Sequence, residues 1–318
     1  KILGATMDAT DKTKYTVGTN GLLGINGNVE KLKIQSDDIT NLSLPKSSPL
    51  LKTLILVSKS SSATATATAI DLSGLTDLES LLIAGYSIES LDLTKLNKLK
   101  NLGIGAWELG ANFPEVTDAF GSIPEKASRI SEVKLPANNV IENFIVRTAT
   151  LKDGKCDFDN LPKLKKFFCQ SPFFSNFTFA KSTELEVLYA TAPTAGIKLN
   201  ADLGNKPKLK DITFRNATLS KFAVSNATNV VLKDSNAGAI AVEFDNIPAA
   251  QALQYIASKA NASVTSITLK NITISEENLI KMIKRLQTSG GTLKVKGELL
   301  TTAVNAALSA KGWTGAAL

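Results

Sequence analysis

IESLDLTKLNKLKNLGI, residues 88–104, places apolar side chains at Ile88, Leu91, Leu93, Leu96, Leu99, Leu102 and Ile104. The preceding stretch carries the same pattern at Ile70, Leu72, Leu75, Leu78, Leu81 and Ile83. Leu81 to Leu102 and Ile83 to Ile104 are each steps of twenty-one residues. A fixed period near twenty with an L-x-x-L-x-L core marks a leucine-rich-repeat solenoid. The expected fold class is an α/β solenoid, a right-handed leucine-rich-repeat stack of parallel β-strands.

The repeat extends in both directions. Strand cores fall at Val29-Leu32-Ile34, Leu51-Leu54-Leu56, Leu78-Leu81-Ile83 and Leu99-Leu102-Ile104. Further cores follow at Ile130-Val133-Leu135, Leu164-Phe167-Cys169, Leu185-Leu188-Ala190, Leu209-Ile212-Phe214 and Val264-Ile267-Leu269. Alternation at L-x-L puts these side chains on one strand face, and L-x-x-L turns the corner of the coil. Each coil buries its apolar row only against its neighbours.

A second apolar pair recurs at Leu42/Leu44, Leu91/Leu93, Phe144/Val146 and Phe177/Phe179. It reads as a second short strand on the far side of each coil. About ten coils at a strand spacing near 4.8 Å predict a rod about 50 Å long. The asparagine that commonly follows L-x-x-L-x-L is replaced by Tyr86, Trp107, Pro172, Pro193 and Ala217, with Asn138 the match. The second strand is expected to satisfy the turn instead.

Two stretches break the period. Ser60–Ala69, SSSATATATA, reads as a surface excursion. Ala111–Ala127, with Pro114, Gly121 and Pro124, reads as an insertion with a short helix. Three segments result: an N-terminal β-hairpin cap over 1–28, the solenoid over 29–246, and C-terminal repeats with a helical cap over 247–318. Pro248 opens one helix and Ser275 caps another, which Gly290 and Gly291 stop. A strand at Thr292–Val295 and a helix near Leu300–Ala310 complete the cap.

Composition closes several function classes. The 318 residues contain no histidine and only two cysteines, Cys156 and Cys169. Ser-His-Asp and Cys-His nucleophiles and the common zinc sites therefore fall away, and no cofactor is expected. The net charge of +7 is carried mostly by dispersed lysines, without the arginine forks or motifs of nucleic-acid readers. No apolar run is long enough to cross a bilayer as a helix. Cys156 and Cys169 fall at inward positions, as free core thiols.

IESLDLTKLNKLKNLGI and FSNFTFAKSTELEVLYA resemble the two-strand leucine-rich repeats of Bacteroidetes cell-surface proteins. Asp92 with Thr94, and Asp71 with Ser73, match that family's D-x-[ST] element, and Ala310-Lys311-Gly312-Trp313-Thr314 is similar to its closing motif. The resemblance implies an exported or lipid-anchored surface protein, extracellular in location, with an adhesive or binding role. A monomer engaging a protein or glycan is the expected state.

Candidate binding residues come from the side chains between the inward ones. That outward row reads Ile55, Leu82, Gly103, Lys134, Phe168, Tyr189 and Thr213, with Lys166, Val187, Asp211 and Arg215 beside it. Phe168 and Tyr189 belong to adjacent coils, so parallel pairing would hold the rings side by side as a platform. The alternative is that another segment or subunit covers them. Trp107, just past a strand, is a second candidate anchor, whereas Trp313 is expected to pack the C-terminal end. Set against a non-enzymatic binding module stands a carbohydrate-active enzyme on the same scaffold, or a passive spacer. Along the outward row the enzyme reading finds only Glu132 and Asp211, several coils apart.

Overall fold

The computed structural model describes residues 2–3, 5–7, 15–17, 24–25, 29–43, 50–59, 65–106, 120, 126–171, 176–191, 197–215, 217–227, 231–232, 239–250, 252, 264–288 and 290–318. The chain winds into a parallel β-solenoid of about nine turns. One face is a nine-stranded sheet of Lys31–Gln35, Thr53–Val57, Ser80–Ala84, Asn101–Ile104, Asn143–Arg147, Lys166–Gln170, Val187–Thr191, Asp211–Arg215 and Val231–Leu232. Its ladder sets Leu54, Leu81, Leu102, Phe144, Phe167, Leu188 and Ile212 in one inward row. Every member of that row is buried.

The second face is built in two parts. Asp38–Ser43, Ala65–Asp71, Tyr86–Asp92 and Arg129–Lys134 form a four-stranded sheet. A seven-stranded sheet runs from Asn176–Phe177 to Trp313–Ala317 and includes Ile197–Asn205 and Ala217–Ser225. Between the faces, L-x-x-L turns each corner with short backbone bonds, such as Leu75 N to Leu72 O and Leu96 N to Leu93 O, both 2.9 Å. Asp92 Oδ1 accepts from Thr94 N at 2.9 Å, and Asp71 Oδ1 does the same for Ser73. The D-x-[ST] element therefore satisfies the turn locally. The interior is aromatic in mid-chain, where Phe144, Phe158, Phe167 and Phe179 meet edge to face or tilted.

Three readings of the sequence are corrected. Arg129–Lys134 pairs with Tyr86–Asp92 on the second face, and Asn143–Arg147 takes the first-face place beside Asn101–Ile104. Period-2 alternation is identical on both faces, so apolar pattern alone cannot assign them once the repeat is interrupted. Ser266–Lys270 likewise pairs with Ala239–Asp245 on the second face. Residues 65–69 of the stretch assigned to a surface excursion belong to a second-face strand, Ala65–Asp71.

Several local features agree with the sequence reading. Ala5–Met7 and Tyr15–Val17 pair antiparallel within the segment read as a hairpin. Ser275 caps the helix Glu276–Lys284 by accepting from Asn278 N at 3.3 Å, and Thr301 caps the helix Thr302–Ser309. Trp313 is buried and donates from Nε1 to Gln287 O at 3.1 Å. Cys156 and Cys169 are free and buried, and burial pushes both thiols up.

A column of alternating charge runs just before the first-face strands: Lys52, Glu79, Lys100, Glu142, Lys165, Glu186 and Lys210. Successive members are joined by backbone bonds, and Glu79–Lys100, Glu142–Lys165 and Glu186–Lys210 pair at 3.0, 2.7 and 2.9 Å. Lys100, Lys165 and Lys210 are thereby each paired with a carboxylate of the neighbouring coil.

Candidate functional site: the outward strand face

Opposite the inward row, the nine-stranded ladder aligns Ile55, Leu82, Gly103, Ile145, Phe168, Tyr189 and Thr213. Ile145 stands where sequence reading put Lys134. The exposed Lys134 lies on the second face opposite Asp92, so it is no part of this site. Phe168 and Tyr189 stack with ring centroids 4.5 Å apart and planes inclined by 6°. Adjacent parallel strands at ladder spacing allow little else for two rings in register.

The row divides into a sealed half and a half-open one. Ile55, Leu82, Ile145 and Phe168 are buried, and with Val57, Ala84, Ala106 and Phe120 they form a second apolar cluster outside the coil. Phe120 comes from the insertion, so that segment contributes to the cover. Leu82 leans across the next strand: a Cβ on Gly103 would sit 2.3 Å from Leu82 Cδ1. The expected exposure of Ile55, Leu82 and Phe168 is thus corrected, because burying so much apolar surface is favourable. Thr213, also expected to be exposed, is buried.

Tyr189 and Val187 pack against the margin of this cluster and are half-buried. Around them, Lys166, Gln170 and Asp211 are also half-buried. At the sealed end the flanking polar row is internally satisfied, with Asn101 Nδ2 donating to Ser80 Oγ at 3.0 Å and Asn143 Nδ2 to Asn101 Oδ1 at 2.8 Å. At the open end Gln170 Oε1 is buried without a hydrogen-bond donor. Trp107 and the side chain of Arg215 lie outside the described residues; the Arg215 backbone pairs with Thr191.

Sequence reading missed Ile145 and Phe120. Ile145 was legible in the F-I-V alternation but was placed on the wrong face, whereas Phe120 sits in a stretch with no periodic signal. Among the described residues, no three His, Cys, Asp or Glu side chains converge to hold a metal ion, and no helix is long and apolar enough to cross a membrane. No protein-family model and no curated protein matches this chain.

Proposed function

We propose that the protein is a non-enzymatic binding module that engages a protein or glycan through the C-terminal half of its outward strand face. The observation carrying this reading is the stacked Phe168–Tyr189 pair at the border between sealed and open surface. Phe168 anchors the pair in the apolar cluster, and Tyr189 offers a preordered amphipathic ring at little entropic cost. Half-buried Lys166, Gln170 and Asp211 surround it with donors and acceptors. Recognition surfaces commonly combine one aromatic anchor with such a polar rim.

The scaffold is read as a right-handed leucine-rich-repeat stack closed by the N-terminal hairpin and C-terminal helices. Its resemblance to Bacteroidetes surface repeats supports an exported, adhesive role. The test is the purified chain on a mixed array of polysaccharides, mucins and matrix proteins, beside Tyr189→Ser. Binding lost in the variant supports the face; binding retained removes Tyr189 from the site.

A further inference from the structure

The second face is interrupted at one place among the described residues. Its four-stranded part ends at Arg129–Lys134 and its seven-stranded part begins at Asn176–Phe177. Between them, residues 148–160 cross this side without forming a strand. The ladder shrinks there to one parallel bridge between Ser128 and Thr148, beside which Thr148 Oγ1 accepts from Ile130 N at 3.3 Å and donates to Ile130 O at 3.4 Å. Farther along, Val133 N donates to Lys155 O at 2.8 Å. A turn closed by Lys155 N to Lys152 O then passes through Gly154, at φ 76° with open space around its Cα.

The interruption leaves an open cleft of about 220 Å³. Val133, Pro136 and Cys156 are its buried apolar lining, and Leu135 is half-buried beside them. Its polar groups balance in charge, with Glu132 and Asp157 against Lys134 and Lys155. Glu132 accepts from Ser90 Oγ at 2.8 Å and lies 3.7 Å from each of the two ammonium groups. The Ser90 hydroxyl, then the two lysines, hold its carboxyl below the usual range, so it stays an acceptor. Asp157 Oδ1 accepts from Asn160 N at 3.2 Å.

We propose that this cleft binds one neutral sugar residue at the end of a glycan. A group with no net charge has no preference for a free anion or cation, yet every charged side chain here is a strong hydrogen-bond partner. Hydroxyl groups can donate to Glu132 and Asp157 and accept from Lys155, while a C–H face rests on the half-buried Leu135. The volume is below the 300–1,000 Å³ or so of a drug-sized pocket and suits a single ring. The cleft lies on the second face, so it stands or falls separately from the strand-face reading.

The test is heteronuclear NMR titration of the full chain with methyl β-glucoside, methyl β-galactoside and glucuronic acid. A neutral glycoside is expected to shift resonances of residues 132–136 and 154–160. Glu132→Gln/Asp157→Asn should weaken that binding by at least about tenfold, and Lys155→Ala, at an exposed position, should weaken it in the same direction. Tyr189→Ser should leave it unchanged. The proposal is overturned if these resonances stay still with both glycosides, if glucuronic acid binds more tightly, or if Tyr189→Ser alone abolishes the shifts.

Discussion

Leu102 and Phe144 are direct partners in the parallel ladder although 42 residues separate them (144 − 102), twice the step of twenty-one between Leu81 and Leu102. Leu91 and Val133 on the second face are separated by the same 42 residues (133 − 91). The chain therefore leaves the ladder after Ile104 and returns in phase, one repeat length later. Phe144 is fully buried and meets Phe167 edge to face at 5.8 Å. Phe144→Ala should cost about 3–5 kcal/mol in urea melts, while Ser131→Ala on the second face should stay within about 0.5 kcal/mol.

Phe168 and Tyr189 differ in burial despite their stacking. Phe168→Ser, which opens the outer apolar cluster, should destabilise by about 3 kcal/mol or more. Tyr189→Ser, at its margin, should cost about half as much or less. Thermal unfolding of the two single variants checks this ordering.

Lys206 is fully buried, and its ammonium donates to Leu203 O and, at 3.3 Å, to Asn205 O. Burial lowers its pKa to about 8, against the opposing pull of Asp159 and Asp202. Between about pH 8 and 10.5 the unfolded chain then holds the proton that the folded chain has released. Stability should rise with pH across that window. The buried charge costs on the order of 3 kcal/mol at pH 7 before its hydrogen bonds are counted. Lys206→Met should therefore be at least as stable as wild type at pH 7 and lose the rise; urea titrations at pH 7, 8 and 9 measure both.

Tyr86 is buried and donates to Ser36 O at 2.5 Å, with burial pushing its pKa to about 12. Its stabilising contribution is complete below about pH 10 and is lost as pH climbs toward 12. An ultraviolet titration should show a late tyrosine step, well above pH 10, that Tyr86→Phe removes. The same variant should lose about 0.5–1.5 kcal/mol with the hydrogen bond to Ser36 O.

The alternating column makes Glu142 the neighbour of both Lys100 and Lys165. Glu142→Lys should destabilise by about 0.2–1 kcal/mol at low salt, with the loss shrinking as salt is raised. Adding Lys165→Glu should recover part of it.

The ladder through Leu81 and Leu102 was readable because inward positions repeat at fixed steps. Counting failed between Ile104 and Phe144, where the L-x-L signature of either face has the same period. Ser266–Lys270 was misassigned for the same reason. Phe168 beside Tyr189 followed directly from coil register, but their burial did not. That depends on Phe120 and Ala106, which no periodicity ties to the strand face. Lys134 appeared in the site only because its strand was placed on the wrong side.

Hydroxyl-radical footprinting of the chain, with and without the array-selected ligand, tests the central claim most directly. Protection of Tyr189 and Val187, with the half-buried Leu42 and Ile70 on the second face unchanged, is the expected result. Protection confined to the second face, with Tyr189 equally reactive in both states, would contradict binding through the outward strand face.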